Sequence, residues 1–471
     1  MTADSTLNLS LHTLLGVAPL LGFPQEDRSV IRDRQQPDVV SLVTQESACR
    51  VAADLLNGFC VAPLDFLVSG PPEARRVHLL ELNGSGIGGL TNLPEIAIAA
   101  ILGNLRTLEL SLPSGEPSVI LVAASERESS PNPRQNRLLY EKVLYVDALR
   151  AGLAASGHAA AVCGLDALRA TTPARASTAL VLGYIRELME AIELRDGAPW
   201  LAGRRVVAIV NDRLCLHAYK RLGGDAPPPF LAVNRCFVAG ADKSVAYDVL
   251  DTLAPTTAAR FPSVRPRWEF RRAGSRDALV TEIQRWHAER REPLLIKPQG
   301  TGLGHGIEFF LDVNASRATI EAAVTRSTDL TNRICATPGA AFPYTLCEYV
   351  DAATIPDAAS PLFGHKFEMR IVVYRDGDVL RACPAIAKIA SARWNPEAPT
   401  PSMLLNNITY STEQSGQPGH RFILPLCNAD TLESLGLSLD LVRETSRFAT
   451  TYVAAALGSL AACGLTGAAP R

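Results

Sequence analysis

Residues 292–310 read EPLLIKPQGTGLGHGIEFF. An apolar run, Leu294-Leu295-Ile296, delivers Lys297 and Pro298 at its end, and Gly300, Gly302, Gly304 and Gly306 then alternate with other residues before a second apolar run begins. The pattern predicts a strand, a glycine-rich loop and a second strand. Glycine lets backbone N–H groups approach an anion closely and adopts φ values other residues refuse, so four glycines beside a lysine suggest a flap that closes over phosphates. A hairpin loop with a solvated lysine is the alternative. The stretch is not the GxxxxGK[ST] phosphate loop, which occurs nowhere in the chain.

The rest of the chain sets the frame. With 471 residues, 47% hydrophobic and 20% charged, the composition is globular and the length predicts two to four domains. Forty-six basic against forty-eight acidic residues give a formal charge of −2 with no long run of either sign, which suggests neither a nucleic-acid nor a membrane partner. Ten scattered cysteines form no CxxC and no Cys/His cluster at metal-ligand spacing, so they read as buried hydrophobes in a reducing compartment. The N-terminal apolar stretch carries Asp4 and lacks a basic flank, and is expected to belong to the fold of a cytoplasmic protein.

Residues 45–58 have helical spacing, and FCVAPLDFLV and RRVHLLEL, joined by SGPPEA, predict a hairpin. Strand alternation puts Glu81 and Asn83 on one face, with Asp65 on the partner strand. Two carboxylates and an amide are hard oxygen ligands of the kind Mg²⁺ prefers; solvated polar residues of an amphipathic hairpin are the alternative. Gly84, Gly86 and Gly89 also satisfy GxGxxG, with Glu109 20 residues on, but Asn83 interrupts the apolar approach and Pro94 falls where the helix should be running.

From Ser118 to Asn211 strands and helices alternate, predicting a parallel α/β layer of roughly 100 residues, a common domain size. Helices are expected at about 244–253, 276–290, 313–330 and 438–462, a strand at Tyr344–Asp351, and a hairpin from Lys366 that turns at Asp376-Gly377 and carries Arg370.

Taken in order, Asp242-Lys243 before a helix, Ile296-Lys297-Pro298 before the glycine loop, Glu348-Tyr-Val350, Glu368-x-Arg370 with its hairpin and Asn406-Asn407 resemble the ATP-grasp superfamily. The likeness is closest to carboxylate-amine ligases such as the ribosomal-protein glutamate ligases and tubulin tyrosine ligases, and it covers roughly residues 118–412. One piece departs from the family's order. The acidic strand and Glu-x-Asn strand that should follow Asn407 are missing there, while Asp65-Phe-Leu and Leu-Leu-Glu81-Leu-Asn83-Gly match them at the other end of the chain. A circular permutation accounts for this, because domain termini often lie close together at the surface. The implied fold is α/β: two α+β lobes holding ATP between them after a Rossmann-like domain. Its expected parts are 1–95 (the permuted Glu-x-Asn hairpin), 96–235 (Rossmann-like), 236–350 (the lobe with the glycine loop) and 351–471 (the other lobe).

The resemblance implies roles. Lys243 and Lys297 neutralise the ATP phosphates and the loop with Gly302 and Gly304 lies over them; Glu348 and Val350 meet the adenine through their backbone, where side-chain identity matters little, and Asp351 reaches the ribose. Arg370 contacts the γ-phosphate, an internal ion pair with Glu368 or Glu348 being its alternative, and Lys388 serves the acceptor side. Asp65, Glu81, Asn83 and Asn407 gather Mg²⁺; whether Asn406 or Asn407 faces the site stays open. The implied chemistry is phosphorylation of a substrate carboxylate by ATP to an acyl phosphate, then attack by an amine, in the setting of peptide or natural-product biosynthesis. The resemblance also implies a homodimer and small-molecule or peptide substrates. Three alternatives remain: an ATP-grasp kinase, a catalytically silent nucleotide-binding protein and, more distantly, a dinucleotide oxidoreductase.

Overall fold

The computed structural model describes residues 31–87, 89–124, 137–224, 227–302, 304–335, 339–406 and 419–460, and they form a mixed α/β protein built on three sheets. The first is antiparallel and joins distant parts of the chain. Strands His365–Asp376 and Val379–Arg393 form the hairpin expected at Asp376-Gly377, and Val61–Ser69 with Arg76–Leu82 form the one expected near the N-terminus. Val61–Ser69 pairs with His365–Asp376, so the two hairpins make one continuous sheet.

Alternation sorts this sheet's faces. Leu64, Phe66 and Val68 point with Phe367, Met369 and Ile371 into a core closed by the helix Leu439–Leu460, where the rings of Phe66 and Phe448 meet edge to face at 6.1 Å. On the other face Val372 and Tyr374 join the core formed with Glu95–Arg106 and Arg137–Ala155. Further along that face come Glu368 and Arg370.

The second sheet holds the parallel layer. Ser118–Ala124, Ala160–Cys163, Thr178–Tyr184 and Arg204–Val210 run parallel, with the second and third on one side of the first and the fourth on the other. Chain direction therefore reverses about Ser118–Ala124, and a crevice opens at the carboxyl ends of the strands. An antiparallel hairpin, Glu193–Arg195 with Ala198–Leu201, extends an edge and has no counterpart in the sequence reading.

The third sheet orders Phe270–Ala273, Tyr344–Glu348, Leu294–Lys297 and Glu308–Phe310, all antiparallel, under the helices Arg276–Arg290 and Arg317–Ile334. Both helices open on serine, Ser275 and Ser316, whose side chains accept from backbone N–H groups of the first turn. The strand, glycine loop and strand at 294–310 are as expected.

The helix expected over 45–58 is not one element. Pro37–Glu46 ends at Ser47, and Cys49–Arg50 instead pairs with Val379 and Leu380 at the edge of the first sheet, leaving only Ala53–Leu56 helical. Edge pairing overrides the local apolar spacing. Among the described residues no helix is long and apolar enough to cross a membrane.

Candidate functional site

Register decides what the hairpins bring together. Asp65 stands opposite Arg370 on one neighbouring strand and Glu81 on the other, and Glu368 stands opposite Lys388. Directly opposed residues of antiparallel strands share a face, as do residues two apart. Asp65, Glu81, Glu368, Arg370 and Lys388 therefore gather on one surface, although Asp65 and Arg370 are 305 positions apart.

Asp65 is the hub and is wholly buried. Its Oδ1 accepts from Arg370 Nε at 2.7 Å, and its Oδ2 from Arg370 Nη2 at 2.7 Å, Lys388 Nζ at 2.9 Å and Asn83 Nδ2 at 2.9 Å. Burial works to raise the Asp65 carboxyl, but the charges of Arg370 and Lys388 together outweigh it and hold the group well below the ordinary carboxylate range. With no exposed surface and its oxygens facing two cations and an amide, Asp65 is not presented to a metal. This corrects the expectation for Asp65: it orients the cationic pair and turns Asn83 so that its amide nitrogen is occupied.

Glu81 and Glu368 are placed differently. Glu81 keeps about a quarter of its side chain exposed and pairs with Lys243 at 2.8 Å. Glu368 is buried against Lys388; burial raises its carboxyl to about 7, against the pull of that lysine. Lys243 opens the helix Lys243–Thr252, and Asp242 caps that helix by accepting from Ser244 N–H at 2.9 Å.

Lys297, at the end of its strand, is 4% exposed. It donates to Tyr247 Oη at 2.7 Å and to the Leu80 carbonyl at 3.3 Å, and lies over the rings of Tyr247 and Trp268. Among the described residues no carboxylate pairs with it, and burial pushes its ammonium pKa down. In the following loop Gly300, Gly304 and Gly306 have φ of 69°, 75° and 75°. A Cβ on Gly306 would also stand 2.6 Å from Thr331, whereas one on Gly302 would meet nothing within 4 Å. Packing thus requires glycine at 306 but not at 302.

Several of these groups line one cavity of about 270 Å³ between the first sheet, the third sheet and the parallel layer. Its charged wall carries Glu81, Asn83, Lys243, Lys297, Glu368 and Lys388, and its apolar wall carries Trp268, Leu295, Ile307, Phe309, Tyr349 and Val350. Gly302 and Gly304 line it too, and Asn211, Asp212 and Arg213 reach it from the carboxyl end of Arg204–Val210.

Other expected residues lie elsewhere. The Glu348 carboxylate turns away, to Arg265 at 2.8 Å and the Glu269 N–H at 2.8 Å, and does not line the cavity. Asp351 is two-thirds exposed, pairs with Lys366 and accepts from Tyr349 Oη at 3.2 Å, so it meets the cavity through those two side chains. Arg370 lies beneath the wall; its ion-pair partner is Asp65, not Glu368 or Glu348. Asn407 falls outside the described residues, while Asn406 lines the cavity.

Sequence reasoning missed Asp212, which is buried, accepts from Ser85 N–H at 3.0 Å and has its carboxyl raised by burial to about 7. It also missed Lys366, which sits over the Trp394 ring; its place two residues before Glu368 was the available signal. The GxGxxG segment is no dinucleotide cradle: Glu141 accepts from the N–H groups of Ile87 at 2.9 Å and Leu90 at 3.2 Å, filling the place a phosphate would take.

Does this surface fit Mg²⁺ and ATP? Among the described residues no three His, Cys, Asp or Glu side chains converge as a ready-made metal cage. Hard oxygen donors are nonetheless present in Glu81, Glu368 and Asn83, and Mg²⁺ is ordinarily held by one or two carboxylates together with substrate phosphates. Lys243 and Lys297 supply phosphate-binding charge beside an apolar wall suited to a base. The residues fit both groups. No protein-family model matches the chain, and no curated protein matches its sequence.

Proposed function

We propose that this chain is an ATP- and Mg²⁺-dependent ligase that joins a carboxylate to an amine, with an ATP-grasp fold whose Glu-x-Asn hairpin has been permuted to the N-terminus. The observation that carries the reading is the register of Val61–Ser69 beside His365–Asp376. It brings Glu81 and Asn83 from one end of the chain to the cavity lined by Lys388 and Glu368 from the other, with Lys243 and Lys297 in the same wall.

In this reading Trp268, Leu295, Phe309 and Val350 enclose the adenine. Lys243 and Lys297 hold phosphates, and Gly302 and Gly304 lie over them. Glu81, Asn83 and Glu368 would hold Mg²⁺, whose chemistry when bound would be neutralisation of phosphate charge. A substrate carboxylate oxygen bonds to the γ-phosphorus as the bond to the ADP oxygen breaks. The amine nitrogen then bonds to the acyl carbon, the carbon–oxygen bond to phosphate breaks, and the amine gives up a proton. Hydroxide leaves poorly at neutral pH and phosphate leaves well, so activation does the chemical work and the protein positions charge and excludes water. Lys388, held by Asp65 and Glu368, is the cation that meets the acyl phosphate.

The test is release of ADP and phosphate by the purified chain over matched panels of acids and amines, with and without Mg²⁺. The proposal expects both products only when acid and amine are present together, and their loss in Glu81→Gln. ADP without free phosphate or need of an amine would make the chain a kinase. Thermal stabilisation by ATP without turnover would leave nucleotide binding alone.

A further inference from the structure

The buried carboxylate of Glu141 has no part in the reading above, yet it is met from every side. Its Oε1 accepts from Ile87 N–H at 2.9 Å and its Oε2 from Leu90 N–H at 3.2 Å and Gly89 N–H at 3.4 Å. Lys142 Nζ, at 3.0 Å, balances its charge. Burying a carboxylate is costly unless it is paired and hydrogen-bonded, and here both conditions are met by a backbone nest of the kind that elsewhere binds anions. One helical turn on, Tyr145 Oη donates to the Ser85 carbonyl at 3.0 Å, and Asp212 takes the Ser85 N–H.

The stretch so held begins two residues after Asn83 and ends on Arg370. The Ile87 carbonyl accepts from Arg370 Nη1 at 2.7 Å, while Asp65 takes Nε and Nη2. The guanidinium is thus clamped on two sides, one by its own sheet and the other by a loop that the parallel layer grips.

We propose that Glu141 is a positioning residue, acting through the Ile87 and Leu90 peptides to fix both Arg370 and the end of the strand that presents Glu81 and Asn83. The proposal rests on the ligase reading for what those residues bind. It makes the parallel layer part of the metal-site geometry, which otherwise belongs to the first sheet alone. Glu141→Gln keeps the shape but turns an amide NH₂ toward backbone N–H groups, so it unseats the loop without opening a cavity.

The experiment measures Mn²⁺ affinity by electron paramagnetic resonance in the presence of a non-hydrolysable ATP analogue, analogue affinity without metal, and melting temperature. For Glu141→Gln the expected result is Mn²⁺ affinity weakened roughly 10- to 100-fold, the range for residues that orient metal ligands, with analogue affinity unchanged. Val181→Ala, in the core on the opposite face of the same sheet, should lose comparable melting temperature without changing Mn²⁺ affinity. Tyr145→Phe, which removes the hydroxyl shared between the Ser85 carbonyl and Glu141 Oε1, should weaken Mn²⁺ in the same direction by less, and it serves if Glu141→Gln does not fold. Unchanged Mn²⁺ affinity in the folded variants overturns the role of Glu141 and leaves the ligase reading standing. A native chain that binds neither analogue nor Mn²⁺ overturns the ligase reading and the positioning role with it.

Discussion

Asp65 and Glu81 are the two carboxylates that strand alternation assigns to one metal, and they should respond in opposite ways to loss of charge. Asp65→Asn keeps the volume but removes the anion that faces Arg370 and Lys388. Asp65 has no exposure, and its oxygens accept four hydrogen bonds, three of them from cations. Breaking a buried pair typically costs ~3–5 kcal/mol because the remaining charge is left uncompensated. Here Lys388 keeps Glu368 and Arg370 keeps the Ile87 carbonyl, so the lower end, ~3 kcal/mol, applies. Glu81→Gln loses one partly exposed ion pair with Lys243, for which ~0–1 kcal/mol is the usual range. Urea unfolding followed by tryptophan fluorescence reads both. Asp65→Asn should move the midpoint strongly at constant slope and Glu81→Gln scarcely at all, while Glu81→Gln loses ADP release with its stability intact. An Asp65→Asn protein as stable as the native one would refute the anchoring role and return Asp65 to the metal ligands.

Other predictions follow from burial and packing. Asp212 has its carboxyl raised from 3.8 to about 7, so the folded state binds the extra proton between those values, and Asp212 contributes stability at low pH that is lost as pH rises toward 7. At ~1.4 kcal/mol per tenfold change in proton affinity this loss is at most ~4 kcal/mol; Asp212→Asn should flatten the stability-against-pH curve over that window, and an unchanged slope would refute it. Gly306→Ala forces a Cβ to within 2.6 Å of Thr331 at a φ of 75° and should destabilise by ~1–3 kcal/mol. Gly302→Ala meets open space and should stay within ~0.5 kcal/mol of native by the same unfolding assay.

Much of the architecture was legible because it is written locally. The apolar run before Lys297, the turn at Asp376-Gly377 and the alternation from Ser118 to Asn211 each declare their element without help from elsewhere. The joining of the two hairpins was legible only through the order of motifs. What was not legible depends on partners far away in the chain. A carboxylate in mid-strand looks the same whether it will hold a metal or Arg370, and only the register of strands hundreds of residues apart decides. Residues 45–58 have helical spacing, yet the sheet edge at Val379 and Leu380 captures Cys49–Arg50. Glu348 ends its strand and Asp351 lies just past it, and ion pairs with Arg265 and Lys366, both distant in sequence, rather than any local pattern, decide where their carboxylates point. Asp212 reads as an ordinary acid in the first turn of a helix, and nothing local announces that it will be sealed against Ser85.

The pairing of Val61–Ser69 with His365–Asp376 also imposes a timetable on the chain. During synthesis the N-terminal hairpin emerges with Phe66 uncovered and Asp65 without its cations, and its neighbours arrive some three hundred residues later. The parallel layer, whose contacts are nearer in sequence, can form well before that. Non-local strand pairing is slow, and unpaired edges are prone to aggregate. The first sheet should therefore be the last part to assemble, and a nascent chain arrested before His365–Asp376 would hold Glu81 and Asn83 in solvent, dependent on chaperones until the second hairpin pairs with the first.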